Sequence, residues 1–229
     1  MMAVLHPKGV NHLALATTDM KAQLEFWCDV LGCQLKALYW MHGVENTFHG
    51  FVELSPDSYV AFVQHPDNTE DFTPGITHAG NPGGPAPGGT MQHVAFHVDE
   101  FDQLMALRDR IRDRGVRVMG PIDHGMVQSI YFAGPEGLAL EIATGSDIPA
   151  DQWVDPEVQA LCGITDDELE RLKEPVGYEP GDEWLVNPPH DPDRPEMWFP
   201  NGGAEIIYSM SDQTVWDRMS EPQPPVPPG

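Results

Sequence analysis

The chain has 229 residues, 36 acidic against 12 basic, a formal charge of -24 and 41% hydrophobic residues. That length is enough for one full hydrophobic core plus an appendage. The charge repels phosphate backbones and anionic bilayers, so nucleic acid and membrane are excluded as expected partners. Cys28, Cys33 and Cys162 are an odd count without CxxC or Cys/His spacing, and residues 1–10 hold no long apolar segment. A reduced, cytoplasmic protein is expected.

In Asn11-His12-Leu13-Ala14-Leu15-Ala16, apolar residues at 13 and 15 alternate with His12, Ala14 and Ala16. Period two predicts a strand with His12 pointing away from the packed face. Thr17-Thr18-Asp19 offers N-cap residues, and Met20, Leu24, Phe26, Trp27, Val30 and Leu31 give helical spacing until Gly32 stops it. Strands are predicted over Gln34–Trp40, 47–54 and 59–64, the last two joined by Ser55-Pro56-Asp57. The first module, about 10–65, therefore reads β-α-β-β-β. Residues 66–90 cluster proline and glycine, as in Asn81-Pro82-Gly83-Gly84-Pro85, and read as a solvated connector, with a lid as the alternative.

Gln92-His93-Val94-Ala95-Phe96-His97-Val98 repeats the first strand, histidine for histidine. Asp99 and Glu100 open a helix carrying Phe101, Leu104, Leu107, Ile111 and Arg114, and Gly115 closes it. Strands follow from 116–119, over Gln128–Ala133, and over 138–143 after the turn Gly134-Pro135-Glu136-Gly137. The second module spans about 91–144, giving a domain over 1–145. Beyond it, 165–173 is a capped helix, while Trp184, Trp198 and Trp216 lie among prolines. The reading is a C-terminal arm, 146–229, packed on its own domain or on a partner subunit, with a disordered end from Glu221.

Aligning the two turns sets Pro56 on Pro135, Asp57 on Glu136 and Phe62 on Glu141, with His12 and His93 equivalent. Two imidazoles and one carboxylate, with the fourth site apolar, are a donor set for a divalent transition metal that leaves coordination positions open. Ala14, Ala16, Ala95, Ala139 and Ala143 on the same faces leave room for a cavity, whereas Leu138, Leu140 and Ile142 face the core.

These repeated modules with His12, His93 and Glu141 resemble the vicinal oxygen chelate superfamily. It includes glyoxalase I, type I extradiol dioxygenases, fosfomycin-resistance thiol transferases, methylmalonyl-CoA epimerase and bleomycin-binding proteins. The resemblance covers residues 10–145. It implies an α+β fold in which two tandem βαβββ modules form a cupped eight-stranded mixed sheet around one metal held by His12, His93 and Glu141. Tyr131, ten residues before Glu141 with Pro135 and Gly137 between, is similar to the extradiol tyrosine that hydrogen-bonds substrate oxygen. Two departures stand out: Phe62 occupies the place of a fourth glyoxalase I ligand, and Asp57, Ser58 and Tyr59 stand where extradiol enzymes carry an acid-base histidine. His124 and His97 are the candidates for that proton-transfer role.

The expected function is that of an Fe(II) extradiol-type ring-cleaving dioxygenase acting on a small aromatic diol, as a homodimer or higher homo-oligomer. A glyoxalase-like lyase, isomerase or epimerase, or a thiol transferase, using Mn(II), Zn(II) or Ni(II), is the alternative. A non-catalytic antibiotic-binding protein is the third reading.

Overall fold

The computed structural model describes residues 6–145, 148–179, 181 and 184–227. Its residues group into two compact units, one over His6–Trp40 and Asn46–Pro175, the other holding Met41–Glu45 and residues from Val176 onward.

In the larger unit, β1 (His12–Ala16), α1 (Met20–Glu25), β2 (Gln34–Trp40), β3 (Phe48–Ser55) and β4 (Ser58–Gln64) form a mixed sheet of order β1-β4-β3-β2. The pattern recurs in β5 (Val94–His97), α2 (Phe101–Asp113), β6 (Val118–Asp123), β7 (Gln128–Ala133) and β8 (Ala139–Thr144), of order β5-β8-β7-β6. β1 runs parallel to β4 and β5 parallel to β8. The tandem βαβββ fold is as expected, its eight strands divided into two four-stranded sheets.

The helix boundaries follow local chemistry. Asp19 caps α1 by accepting from the Ala22 N–H at 3.0 Å, and Glu100 with Gln103 forms a capping box on α2. One feature differs from the expected regular helix: Phe26–Leu31 is a π-helical turn, in which the Gly32 N–H reaches back to the Trp27 carbonyl. A single wide turn leaves the average apolar spacing intact, so periodicity does not reveal it. Gly32 ends the turn at φ 88°, a left-handed conformation that favours glycine.

Both modules share one core. Trp27, fully buried, lies 5.8 Å from the Phe62 ring and 5.3 Å from Phe96, and Phe26 lies 6.5 Å from Phe132. Leu104 and Ile111 of α2 complete the cluster. The Arg110 Nε–H donates to the Val30 carbonyl at 2.8 Å, tying the two helical segments. Leu15 is buried while His12, Ala14 and Ala16 are exposed, so the first strand's faces are assigned as expected.

Strand pairing corrects the position of Phe62. Ala14 stands opposite Ala61, as Ala95 stands opposite Glu141, so Ala61 and not Phe62 is the equivalent of the carboxylate. Phe62 pairs with Leu15 and points into the core. The hairpin before β4 turns in two residues after a bulge between Glu53 and Ser55, whereas that before β8 carries a 3-10 turn over Pro135–Gly137. Equating the two turns slips the register by one, which moves a side chain to the opposite face.

Residues 66–90 are not a free connector. Asn68 Nδ2 donates to the Thr17 carbonyl at 2.8 Å and the Val63 carbonyl at 3.0 Å, and the Gly75 N–H donates to the His78 carbonyl at 2.7 Å. Gly84 passes so close to Ala79 that a Cβ there would sit 2.2 Å from its carbonyl oxygen.

Glu136 fastens the second module to the first. Its carboxylate accepts from Thr17 Oγ1 at 2.6 Å, the Thr18 N–H at 2.6 Å, Thr18 Oγ1 at 2.7 Å and Gln23 Nε2 at 2.6 Å. Burial by itself would raise its pKa, but these four donors hold it below the ordinary glutamate range. A depressed folded-state pKa contributes stability above the unfolded value of about 4.3, and that contribution is lost as pH falls through the folded value. Glu136→Gln is therefore expected to cost roughly 1–3 kcal/mol at neutral pH, toward the low end because the group is half-exposed. Urea melts at pH 7 and at about pH 3 test this: the gap between wild type and variant should close in acid, and a pH-independent gap would refute the clamp.

The same unit continues through α3 (Ala150–Trp153), α4 (Pro156–Leu161) and α5 (Asp166–Lys173), the last capped by Thr165 and Glu168. The smaller unit holds α6 (Gly203–Tyr208) and α7 (Asp212–Met219). Short helices thus recur where one was expected. Trp184 and Trp198 are 96% and 84% exposed among the described residues. Residues 221–227 are irregular, with Glu221 Oε2 3.7 Å from His42 Nδ1; Pro228 and Gly229 lie outside the described residues. Among the described residues, no helix is long and apolar enough to cross a membrane.

Candidate active site

The second sheet gathers most of the expected site. Glu141 on β8 stands opposite Ala95 on one side and Tyr131 on the other, so His93, two residues before Ala95, shares their face. Glu141 is only 4% exposed, and its Oε2 lies 3.0 Å from His93 Nε2. A carboxylate buried to this degree requires a positive or hydrogen-bonding partner, and the imidazole is placed to be one. The Tyr131 ring lies 6.3 Å from that of His93, and its hydroxyl shares a hydrogen bond with His124 Nε2 at 2.9 Å. Burial pushes the Tyr131 phenol up, and the Glu141 charge acts in the same direction. The hydroxyl keeps its proton.

Beside these residues is a cavity of about 170 Å³. His93, Met119, Tyr131 and Ala139 form its sheet side, and Asn81 and Pro82 of the 66–90 segment form a wall. Ala139 lines it together with Leu138 and Leu140, and the segment read as a connector contributes Gly80, Asn81 and Pro82.

His12 is on the corresponding face of the first sheet. Its Nδ1 lies 2.9 Å from Asn11 Oδ1 and its ring 5.6 Å from Phe51. Around it is an aromatic surface: Tyr39 stacks on Phe51 at 6.2 Å, His49 lies 5.5 Å from Phe51, and Tyr59 lies 6.4 Å from it. Burial lowers the His49 pKa, and the neighbouring His12 lowers it further.

The chain thus brings together His93, Glu141, Tyr131 and His124, and leaves His12 and His97 outside that group. His97 is at the far end of β5, its side chain 61% exposed and its Nε2 3.4 Å from Asp99 Oδ1. Among the described residues, no group of three or more His, Cys, Asp or Glu is placed to hold a metal ion. Two polar neighbours were missed in the sequence. Asn11 and Gln92 each precede a candidate histidine and each presents an amide oxygen to its Nδ1. The signal was available, since an amide-histidine dipeptide opens both repeats.

Comparison with known proteins agrees with the fold. The family described as the Glyoxalase/Bleomycin resistance protein/Dioxygenase superfamily matches residues 9–142. Biphenyl-2,3-diol 1,2-dioxygenase 2 of Rhodococcus globerulus is 26% identical over 57% of this chain, which spans 60% of that enzyme's length. Glutathione transferase FosA of Serratia marcescens is 30% identical over 61% of this chain and 82% of its own. A crystal structure of a glyoxylase/bleomycin resistance protein/dioxygenase domain from Frankia sp. EAN1pec, 16% identical, covers 62% of this chain and all of that one with a TM-score of 0.50.

Proposed function

Because the chain belongs to the Glyoxalase/Bleomycin resistance protein/Dioxygenase superfamily, we propose that it is a cytoplasmic metal-dependent enzyme acting on a small substrate with vicinal oxygens, as an Fe(II) extradiol-type ring-cleaving dioxygenase. The observation that carries this reading is the buried Glu141 carboxylate facing His93 Nε2 at 3.0 Å, with Tyr131 lining the cavity and His124 hydrogen-bonded to it. That pair supplies two donors suited to a divalent metal, but not three. His12 of a second copy supplies the third: the repeat makes it the counterpart of His93, and it faces outward on the other sheet. A homodimer accordingly carries two centres, each shared between copies.

His93, Glu141 and the second copy's His12 would hold the ferrous ion, which would supply the site for binding and activating substrate oxygens and dioxygen. The chain's own groups do the rest. Tyr131, kept protonated, donates a hydrogen bond to a substrate oxygen; when that oxygen takes the proton, His124 Nε2 replaces it on the Tyr131 hydroxyl. A general acid-base group of this kind contributes roughly 100-fold to 10,000-fold. His97, paired with Asp99 at the solvent edge, is the weaker candidate for this step. Met119 and Pro82 line the cavity on either side.

Mixing His12→Ala chains with Glu141→Ala chains tests the shared centre. Each homodimer should bind no metal, whereas a mixed dimer holds one intact set and should recover about half the wild-type metal content together with oxygen uptake on catechols. No recovery on mixing would refute sharing. Tyr131→Phe should slow uptake about 100-fold with metal content unchanged.

A second reading is favoured by one observation: identity and coverage are higher for the glutathione transferase than for the dioxygenase. Consumption of a thiol by the Mn(II), Ni(II) or Zn(II) form, with no oxygen uptake by the Fe(II) form on a panel of catechols, would select a transferase or lyase.

A further inference from the structure

Gln92 occupies a position with two contacts of opposite kind. Its Nε2 lies 3.1 Å from the Asn81 carbonyl and 3.1 Å from the Gly84 carbonyl, and its Oε1 meets His93 Nδ1. Carbonyls only accept, so the amide NH2 must face the loop and the amide oxygen must face the imidazole. The oxygen in turn requires a proton on Nδ1, which leaves Nε2 as the nitrogen able to ligate, a metal there taking the place of the hydrogen that Nε2 otherwise directs at Glu141. Asn11 holds His12 in the same way in the first repeat, with Oδ1 2.9 Å from Nδ1. The two candidate ligands thus each have an amide side chain at Nδ1.

Only the second of these amides is tied to anything else. Residues 79–84 form a tight segment in which the Gly84 N–H donates to the Asn81 carbonyl at 3.1 Å and the Gly83 N–H to Asn81 Oδ1 at 3.0 Å. The same segment supplies Gly80, Asn81 and Pro82 to the cavity wall.

We propose that Gln92 is a positioning residue that couples this wall to the site, setting the tautomer and rotation of His93 from the placement of residues 79–84. The proposal rests on the metal-centre reading above. A displacement of the wall by an entering substrate is transmitted through one side chain to His93. By linkage, cavity occupancy and metal affinity then influence each other reciprocally.

A histidine ligand whose other ring nitrogen loses its partner typically loses 10–100-fold in metal affinity. Zn(II), being diamagnetic, serves as the probe, with imidazole nitrogen-15 spectra of labelled full-length protein as the second readout. Wild type should show His93 protonated at Nδ1. Gln92→Leu should bind Zn(II) about 10–100-fold more weakly and shift His93 toward the Nε2–H tautomer, with His12 unchanged. Gln92→Glu keeps the acceptor and loses the donors; it should retain Nδ1–H and near-wild-type affinity while amide exchange rises across residues 79–84. A residue that merely anchored the loop would make the Glu and Leu variants alike.

Gly84→Ala, which must move the wall, should weaken Zn(II) binding in wild type but add little in the Gln92→Leu background. Equal effects in both backgrounds, or a Zn(II)-loaded wild type with no proton on His93 Nδ1, would overturn the proposal. Failure of wild type to take up Zn(II), with the Gln92-dependent tautomer intact, would remove the metal centre and leave the positioning role standing.

Discussion

Glu141→Gln is expected to empty the metal centre while leaving the fold intact. The carboxylate is 4% exposed and contributes the negative member of the donor set, so its replacement removes both a ligand and the charge that attracts the cation. The loss should exceed the roughly 10–100-fold typical of an outer partner. Stability is another matter. A carboxylate buried beside an imidazole and a phenol carries a desolvation cost that a neutral amide of the same shape avoids, so the variant should melt within a few degrees of wild type. Elemental analysis and a thermal melt on one preparation separate the two effects. Stoichiometric metal in Glu141→Gln would dismiss the centre, and gross unfolding would show that Glu141 serves the fold instead.

Trp27→Ala is expected to have the largest effect on stability of any single change. The side chain is wholly buried among Phe62 and Phe96, and truncating such a residue costs about 3–5 kcal/mol. Its Nε1–H also donates to Gln23 Oε1 at 3.3 Å, and Gln23 in turn donates to Glu136. Removing the indole leaves that buried amide oxygen short of a partner, which adds to the loss. Against a total of about 5–15 kcal/mol, this is a large share, and the melting temperature should fall by roughly 6–20 °C. Urea denaturation of Trp27→Ala beside Trp27→Phe checks it; a cost under about 1 kcal/mol for Trp27→Ala would mean that the core does not depend on this ring.

Much of this arrangement was legible from local signals. The alternation around His12 and His93 gave both first strands and the outward direction of the histidines, and Asp19, Gly32 and Glu100 bounded the helices because caps are encoded within a few residues. Glu141 and Tyr131 were legible as neighbours because they lie on two strands of one hairpin. The misses are non-local. Phe62 was set on the wrong face because a bulge and a shorter turn change the register by one, which no spacing reports. The contact of Asn81 with Gln92 closes an eleven-residue loop whose proline and glycine content resembles a linker. The distance of His12 from the group around Glu141 within one chain was not legible either, because the relative placement of two repeats depends on how they meet, through Trp27, Phe96 and α2, and not on either repeat's own pattern.

That shared core changes what duplication means for this chain. Leu15, Trp27 and Phe62 from one repeat and Leu104, Ile130 and Leu140 from the other form one cluster, and Glu136 draws Thr17, Thr18 and Gln23 across the boundary. Two copies of a motif have become one cooperative folding unit. Neither half could be excised or exchanged without baring the apolar underside of its twin, so a substitution buried in one repeat is felt by both.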